Sequence, residues 1–222
     1  MLKSRHTADT VPEVGIDEAG RGCLWGPLVA AAVIWPDEST WTEEIRAVSE
    51  KIRDSKKVSA KRRKHLEEKI KEYAVSWSIG VVTAQEIDSL GMTKTNRLAF
   101  ERALEGINAP FGRILIDGTL GIPEKEGVQQ IVEPKGDDIY LSVAAASILA
   151  KEGRDTMVLE MCREEPFLES RYCIESSKGY GTLKHRNAIK THGMHSNHRR
   201  LFLRKLLGID HKVSQGCLIQ DT

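Results

Sequence analysis

What the chain lacks narrows its class first. Its longest apolar runs, Leu28 to Trp35 and Val143 to Ile148 with neighbours, are far too short to span a membrane. The opening MLKSRHTADT has no apolar signal-peptide core. Four cysteines, Cys23, Cys162, Cys173 and Cys217, lie far apart, with no CxxC pair and no disulfide framework. That usage fits a reducing cytoplasm, with each cysteine a small buried residue. There is no internal repeat and no low-complexity segment. Net charge is only +1, so the total points to no partner. What remains is 222 residues, 40% hydrophobic and 29% charged: one soluble globular domain, or one with an appendage.

Hydrophobic patterning supplies the elements. Glu13 to Asp17 reads as a strand, and LVAAAVIW (28–35) as a second. The second is continuous rather than alternating, as for a strand buried on both faces. Residues 41–53 read as helical. SAKRRKHLEEKIKEYA (59–74) is a surface helix with Ser59 at its N-cap and Leu66, Ile70 and Tyr73 on its inner stripe. VSWSIGVV (75–82) alternates like a strand. A short helix opens at Thr83 and stops at Gly91, and Thr93 to Ile107 forms the next. RILIDG (113–118) and VQQIVEP (128–134) read as strands. Ile139 to Cys162 is mostly helical, with an Ala-rich start suited to burial against a sheet. After Pro166 the chain is Gly-punctuated and basic, with a last helix near His198 to Leu207. Strands alternating with helices predict an α/β fold, a mixed sheet with helices packed on it.

Three acids fall at strand ends or helix entrances: Asp17 in GIDEAG, Asp117 in ILIDGT and Asp137 in PKGDD. Singly, each is as well explained as a cap or a turn former. Together, without histidine or cysteine, they suit Mg²⁺ or Mn²⁺ rather than zinc. Two such ions about 4 Å apart activate water and stabilise the leaving oxygen of a phosphodiester. Adjacent Asp17 and Glu18 repel each other near a buried sheet unless cations are present. Neighbouring strand residues point to opposite faces. The pair therefore serves one site only if the strand ends or bulges there, or if Glu18 uses its carbonyl, and the following Ala-Gly favours an early end.

GRG (20–22) is not a dinucleotide loop, because GRGCLWG does not fit GxGxxG. It is either an ordinary turn or a bare backbone against a sugar-phosphate chain, with Arg21 as a charged hand. Lys178 to Lys205 holds eight Lys or Arg, no acid, and four of the seven histidines. Such a stretch suits a nucleic-acid backbone. The histidines have no zinc spacing with cysteine. DSKKVSAKRRK (54–64) is a second basic cluster, which the acids of the following helix face can balance.

Taken in order, GIDEAGRGCLWGPLVAAAVI, DSKKVS, ILIDG, KGD with the serine of AAASILAK ten residues on, and KGYGT with HRR downstream resemble ribonuclease HII, the type 2 ribonuclease H family. The resemblance runs from about Val14 to Phe202. It implies a ribonuclease H-like fold with a central five-stranded mixed sheet and a helical C-terminal region. The domain layout is then an N-terminal extension (1–12), a catalytic core (13–165), a basic helical substrate-binding region (166–207) and a flexible tail (208–222). The implied catalytic and metal-binding acids are Asp17, Glu18, Asp117 and Asp137, holding two Mg²⁺ or Mn²⁺ ions. Asp17 is taken as the shared ligand. The implied substrate contacts are Gly20, Arg21 and Gly22, Lys56 of DSKKVS, Ser147, Tyr180 and Arg199 of HRR. The family cuts 5′ of a ribonucleotide embedded in duplex DNA and degrades RNA in RNA–DNA hybrids, leaving 3′-OH and 5′-phosphate ends. A cytoplasmic monomer acting in replication and repair is the corresponding expectation.

The sequence departs from the pattern at Cys23 and Trp25, where GRGPLAGP has smaller or proline-like residues. It departs again at Glu152-Gly153, where glycine should weaken the helix by up to about 1 kcal/mol, and in HSNHRR. Two other readings stand. Ribonuclease HIII shares the acids, but its motif resembles GTG and it carries an N-terminal substrate-binding domain. Only about a dozen residues precede the first strand here. A catalytically silent RNA–DNA hybrid-binding module would not need all four acids. In the tail, Gln215 and Leu218 have the first spacing of a sliding-clamp motif without its aromatics.

Overall fold

The computed structural model describes residues 1–208. A sheet of five strands has the order β3-β2-β1-β4-β5: β1 Glu13–Ala19, β2 Leu28–Ile34, β3 Ser76–Val82, β4 Arg113–Asp117 and β5 Gln129–Glu133. β1, β2 and β3 pair antiparallel, whereas β4 joins β1 in parallel and β5 joins β4 in parallel. The sheet is therefore mixed, as expected.

Helices cover both faces. α1 is Glu43–Ser49, α2 Ala60–Tyr73, α3 Ala84–Leu90, α4 Met92–Glu105 and α5 Leu141–Glu164. The continuous apolar run of β2 divides by alternation. Leu28, Ala30, Ala32 and Ile34 pack with Val14, Ile16 and Phe100 on the α4 face. Ala31 and Val33 pack with Ala144, Leu149 and Ile70 on the face covered by α5 and α2. α5 lies tight on β1: a Cβ on Gly15 would sit 2.3 Å from the Ser142 carbonyl carbon. That close approach sets which α5 side chains reach the end of β1.

Local chemistry accounts for several boundaries. Thr83 and Glu86 form a capping box that starts α3. Ser59 occupies the N-cap position of α2, but its side chain makes no capping bond. The helix read over 41–53 is shorter, because Asp54 starts a separate 3-10 turn over Ser55–Lys57. The C-terminal region is more helical than its glycines suggest: α6 Phe167–Tyr172, α7 Ile174–Ser177, α8 Leu183–His192 and α9 Arg200–Leu207. These pack on the far half of α5 through Val158, Cys162, Leu168, Tyr172, Ile189 and Leu203, with Trp25 inserted among them.

Residues before β1 are tied down. Lys3 exchanges backbone bonds with Ile139 and Leu141, and Arg113 pairs with Asp9 and Glu13. Among the described residues no helix is long and apolar enough to cross a membrane. The features read at Gln215, Cys217 and Leu218 lie outside the described residues.

Candidate active site

The parallel β1–β4 register sets Ile16 beside Ile116, so the next residues, Asp17 and Asp117, leave the sheet as neighbours. Both belong to the face that carries α5, since Leu115, two residues before Asp117, packs on Val143. Asp137 arrives from a 3-10 turn over Gly136–Asp138 that leads into α5. That turn is fixed by the Gly136 N–H, which donates to Asp117 Oδ1 at 2.8 Å. One carboxylate oxygen from each aspartate lies within 4.8 Å of the others, and no histidine or cysteine joins them.

The electrostatics are those of crowded, desolvated acids. Burial, then Glu18 and Asp117, push the Asp17 carboxyl well above its usual range. Burial, then Asp117 and Asp54, push Asp137 up to about 6. Burial also raises Asp117. Lys56 is the local counter-charge: against the effect of burial, Asp54, Asp137, Asp17 and Asp117 raise its ammonium. The set has the oxygen donors and the negative charge that a hard divalent cation requires.

Glu18 stands apart. The early strand end expected after Asp17 is absent, because the ladder with β2 keeps register through Ala19 opposite Val29. Alternation therefore turns Glu18 to the other face. There it bonds Asn96 of α4 and lies 3.7 Å from Arg21, although Asp117 still raises its carboxyl after burial does.

The glycine turn follows immediately. Gly20 has φ +90°, and a Cβ there would lie 2.0 Å from Arg154 Nε. Only glycine meets both conditions. Arg154 is wholly buried and donates to the carbonyls of Pro27 (3.0 Å), Trp25 (3.1 Å) and Lys178 (2.8 Å). Arg199, equally buried, donates to Gly26 (3.0 Å), Gly20 (2.7 Å) and Arg21 (3.1 Å). Burial pushes the Arg199 guanidinium down to about 10. Tyr180 is 41% exposed beside the turn, its ring under Lys151 and Arg154. The Arg21 side chain is half exposed.

Ser147 and Arg199, two of the expected substrate contacts, lie inside the protein. Ser147 is buried, bonding the Asp17 carboxylate and lying 3.0 Å from Ser55 Oγ. It positions an acid. Arg199 has no surface to offer and holds the turn from beneath. Sequence reasoning missed Arg154, which the charged run KEGRD disguises as a surface residue. It also missed Asn96.

Trp25 and HSNHRR, read as separate departures, are partners: Trp25 Nε1 donates to His195 Nδ1 at 3.2 Å. A histidine chain continues from there. His198 Nδ1 accepts the His195 N–H at 2.8 Å, so His198 carries its proton on Nε2. His185 Nδ1 faces the Tyr180 carbonyl at 2.9 Å and must donate. His185 Nε2 then accepts from His198 Nε2 at 3.0 Å. Both rings are neutral, and burial, then His185 and His195, push His198 down to about 3. The histidine cluster thus ends on the backbone of Tyr180. Glu152 receives a bond from Arg63 of α2. α5 runs unbroken through Gly153, where a Cβ would come within 3.0 Å of Ile79 Cδ1. The glycine permits close packing on the sheet.

The ribonuclease HII family model matches residues 14–205. A ribonuclease HII of Parabacteroides distasonis is 41% identical over 190 residues, 86% of this chain and 89% of that protein. One from Porphyromonas gingivalis is 38% identical over 215 residues, 97% of this chain and all of that one. The crystal structure of ribonuclease H2 from Pyrococcus horikoshii superposes with a TM-score of 0.71 at 26% identity, covering 88% of this chain and 97% of that chain. Matched along nearly its whole length, with the mixed sheet of a ribonuclease H-like fold, this chain belongs to the ribonuclease HII family.

Proposed function

We propose that this ribonuclease H hydrolyses the RNA strand of RNA–DNA hybrids and cuts 5′ of single ribonucleotides in duplex DNA, serving their removal during replication and repair. One observation carries the reading: three aspartates within 4.8 Å of one another stand next to a glycine turn held rigid from inside. Asp17, Asp117 and Asp137 would hold Mg²⁺ or Mn²⁺, with Glu18 at the rim as the fourth acid. When bound, two such ions supply an activated water and neutralise charge at the leaving oxygen. The chain's own residues do the rest. Ser147 fixes Asp17. Lys56 faces the acids and attracts the phosphate they would repel. Gly20, Arg21 and Gly22 meet the ribose, whose 2′-OH is both donor and acceptor and so distinguishes RNA from DNA. Arg199 holds the Gly20 and Arg21 carbonyls beforehand, so little order is lost on binding. Tyr180 packs on the same sugar.

The test is a labelled DNA duplex with one ribonucleotide, incubated with Mg²⁺ or Mn²⁺, beside an all-DNA duplex and the Asp17→Asn variant. Cutting 5′ of the ribonucleotide, absent from both controls, is expected. Cutting of long hybrids alone would remove the roles given to the turn and Tyr180. Binding without cutting would instead make the chain a hybrid-binding module.

A further inference from the structure

The segment after α1, the 3-10 turn over Ser55–Lys57 and the start of α2 border a groove of about 1170 Å³. Along it lie Lys51, Arg53, Lys57, Lys61, Arg62 and His65, against one acid, Glu50. In a chain of net charge +1 this is a local concentration of positive charge. Of the acids that could balance it, only Glu68 lies beside a groove residue, 4.0 Å from His65; the others are engaged elsewhere. Glu67 takes Lys64 and Lys71, Glu72 takes Lys69, and Glu152 and Asp155 of α5 take Arg63. Among the described residues Lys51, Arg53, Lys61 and Arg62 have no acidic partner.

Their placement also runs against helix stability. Lys61 and Arg62 occupy the first turn of α2, which contains no acid, and the helix dipole disfavours cations there. The Ser59 hydroxyl, in the N-cap position, forms no capping bond. Unpaired cations at the wrong end of a helix repel one another and the dipole unless an anion joins them. The groove is also connected to the site. Lys57 lines it and reaches Asp138, while its neighbour Lys56 faces the three aspartates.

We propose that this groove binds the sugar-phosphate backbone of the substrate duplex away from the cut, with Lys61 and Arg62 as phosphate contacts. This rests on the nuclease reading above. It gives the enzyme a second line of phosphate contacts, separate from the basic C-terminal region.

The test separates the two readings by measuring binding without metal and cleavage with it. The full chain and the Lys61→Ala/Arg62→Ala variant are titrated with a fluorescent duplex containing one ribonucleotide, between about 0.05 and 0.2 M salt. Each phosphate contact steepens the plot of log affinity against log salt by about 0.9. The variant should therefore be shallower by about 1.8, and weaker by up to roughly 60-fold at 0.1 M salt relative to the 1 M limit. In cleavage assays the loss should fall on KM rather than kcat. The Lys64→Ala/Lys69→Ala variant, at paired positions of the same helix, should keep the parent slope. A double variant at Lys61 and Arg62 with the parent slope and affinity would overturn the proposal. Failure of the parent to cut would instead overturn the nuclease reading, and the binding slopes would still decide the groove.

Discussion

The buried pair His185–His198 should make the fold acid-sensitive in a defined window. The perturbation is a drop from pH 8 to pH 5 without metal. His198 is 1% exposed, and its ring is held neutral down to about pH 3, whereas an unfolded histidine takes up its proton near 6.5. Between those values the unfolded chain binds the extra proton and the folded chain does not. Its stabilising contribution is therefore complete above about 6.5 and declines as pH falls toward 3. At pH 5 the loss is 1.5 pH units at about 1.36 kcal/mol each, or about 2 kcal/mol. His185 is shifted the same way by burial and adds to it. For a domain of this size that corresponds to about 4–8 °C in Tm. The His198→Gln variant keeps a polar side chain but cannot titrate. Urea unfolding at both pH values isolates the effect, because the acids at the site contribute equally to both proteins. The parent should lose about 2 kcal/mol more than the variant between pH 8 and 5. An equal loss in both would refute the neutral, fully bonded histidine chain.

Other changes test the supports of the site. Gly20→Ala places a Cβ 2.0 Å from Arg154 Nε at φ +90°; a fall in stability of more than about 2 kcal/mol is expected, and an unchanged Tm would contradict the packing. Arg154→Met strands three carbonyls and should cost at least about 3 kcal/mol in denaturant unfolding. Ser147→Ala removes a bond to Asp17, so kcat should fall about tenfold, equivalent to about 1.4 kcal/mol, with the circular dichroism spectrum retained. A chelator should abolish cleavage while leaving duplex affinity intact, measured by anisotropy.

Some of this was legible in the chain alone. LVAAAVIW announced a strand buried on both sides, and Thr83 marked a helix start that the structure repeats. The convergence of Asp17, Asp117 and Asp137 was not readable from spacing, because it depends on a parallel register and on a turn between β5 and α5. Motif resemblance supplied it. Glu18 shows the limit of a motif, which names adjacent acids without saying that a regular ladder turns them to opposite faces. Ser147 and Arg199 show another: a motif does not say whether its residue is buried or exposed, and both are buried. Trp25 and His195 looked like two unrelated oddities because their partnership crosses 170 residues. The glycines around Tyr180 hid α8, since Gly179 and Gly181 precede it and Gly193 closes it.

Arg199 reaches back across 179 residues to the carbonyl of Gly20. The turn beside the acids therefore cannot be finished on the ribosome until Arg199 has been made, long after the turn's own residues. Asp137 and all five strands are already made about 60 residues before Arg199. A chain stopped before Arg199 could assemble a charged pocket without the clamp beneath its glycines. Synthesis order thus separates the gathering of the three aspartates from the bracing of the turn beside them.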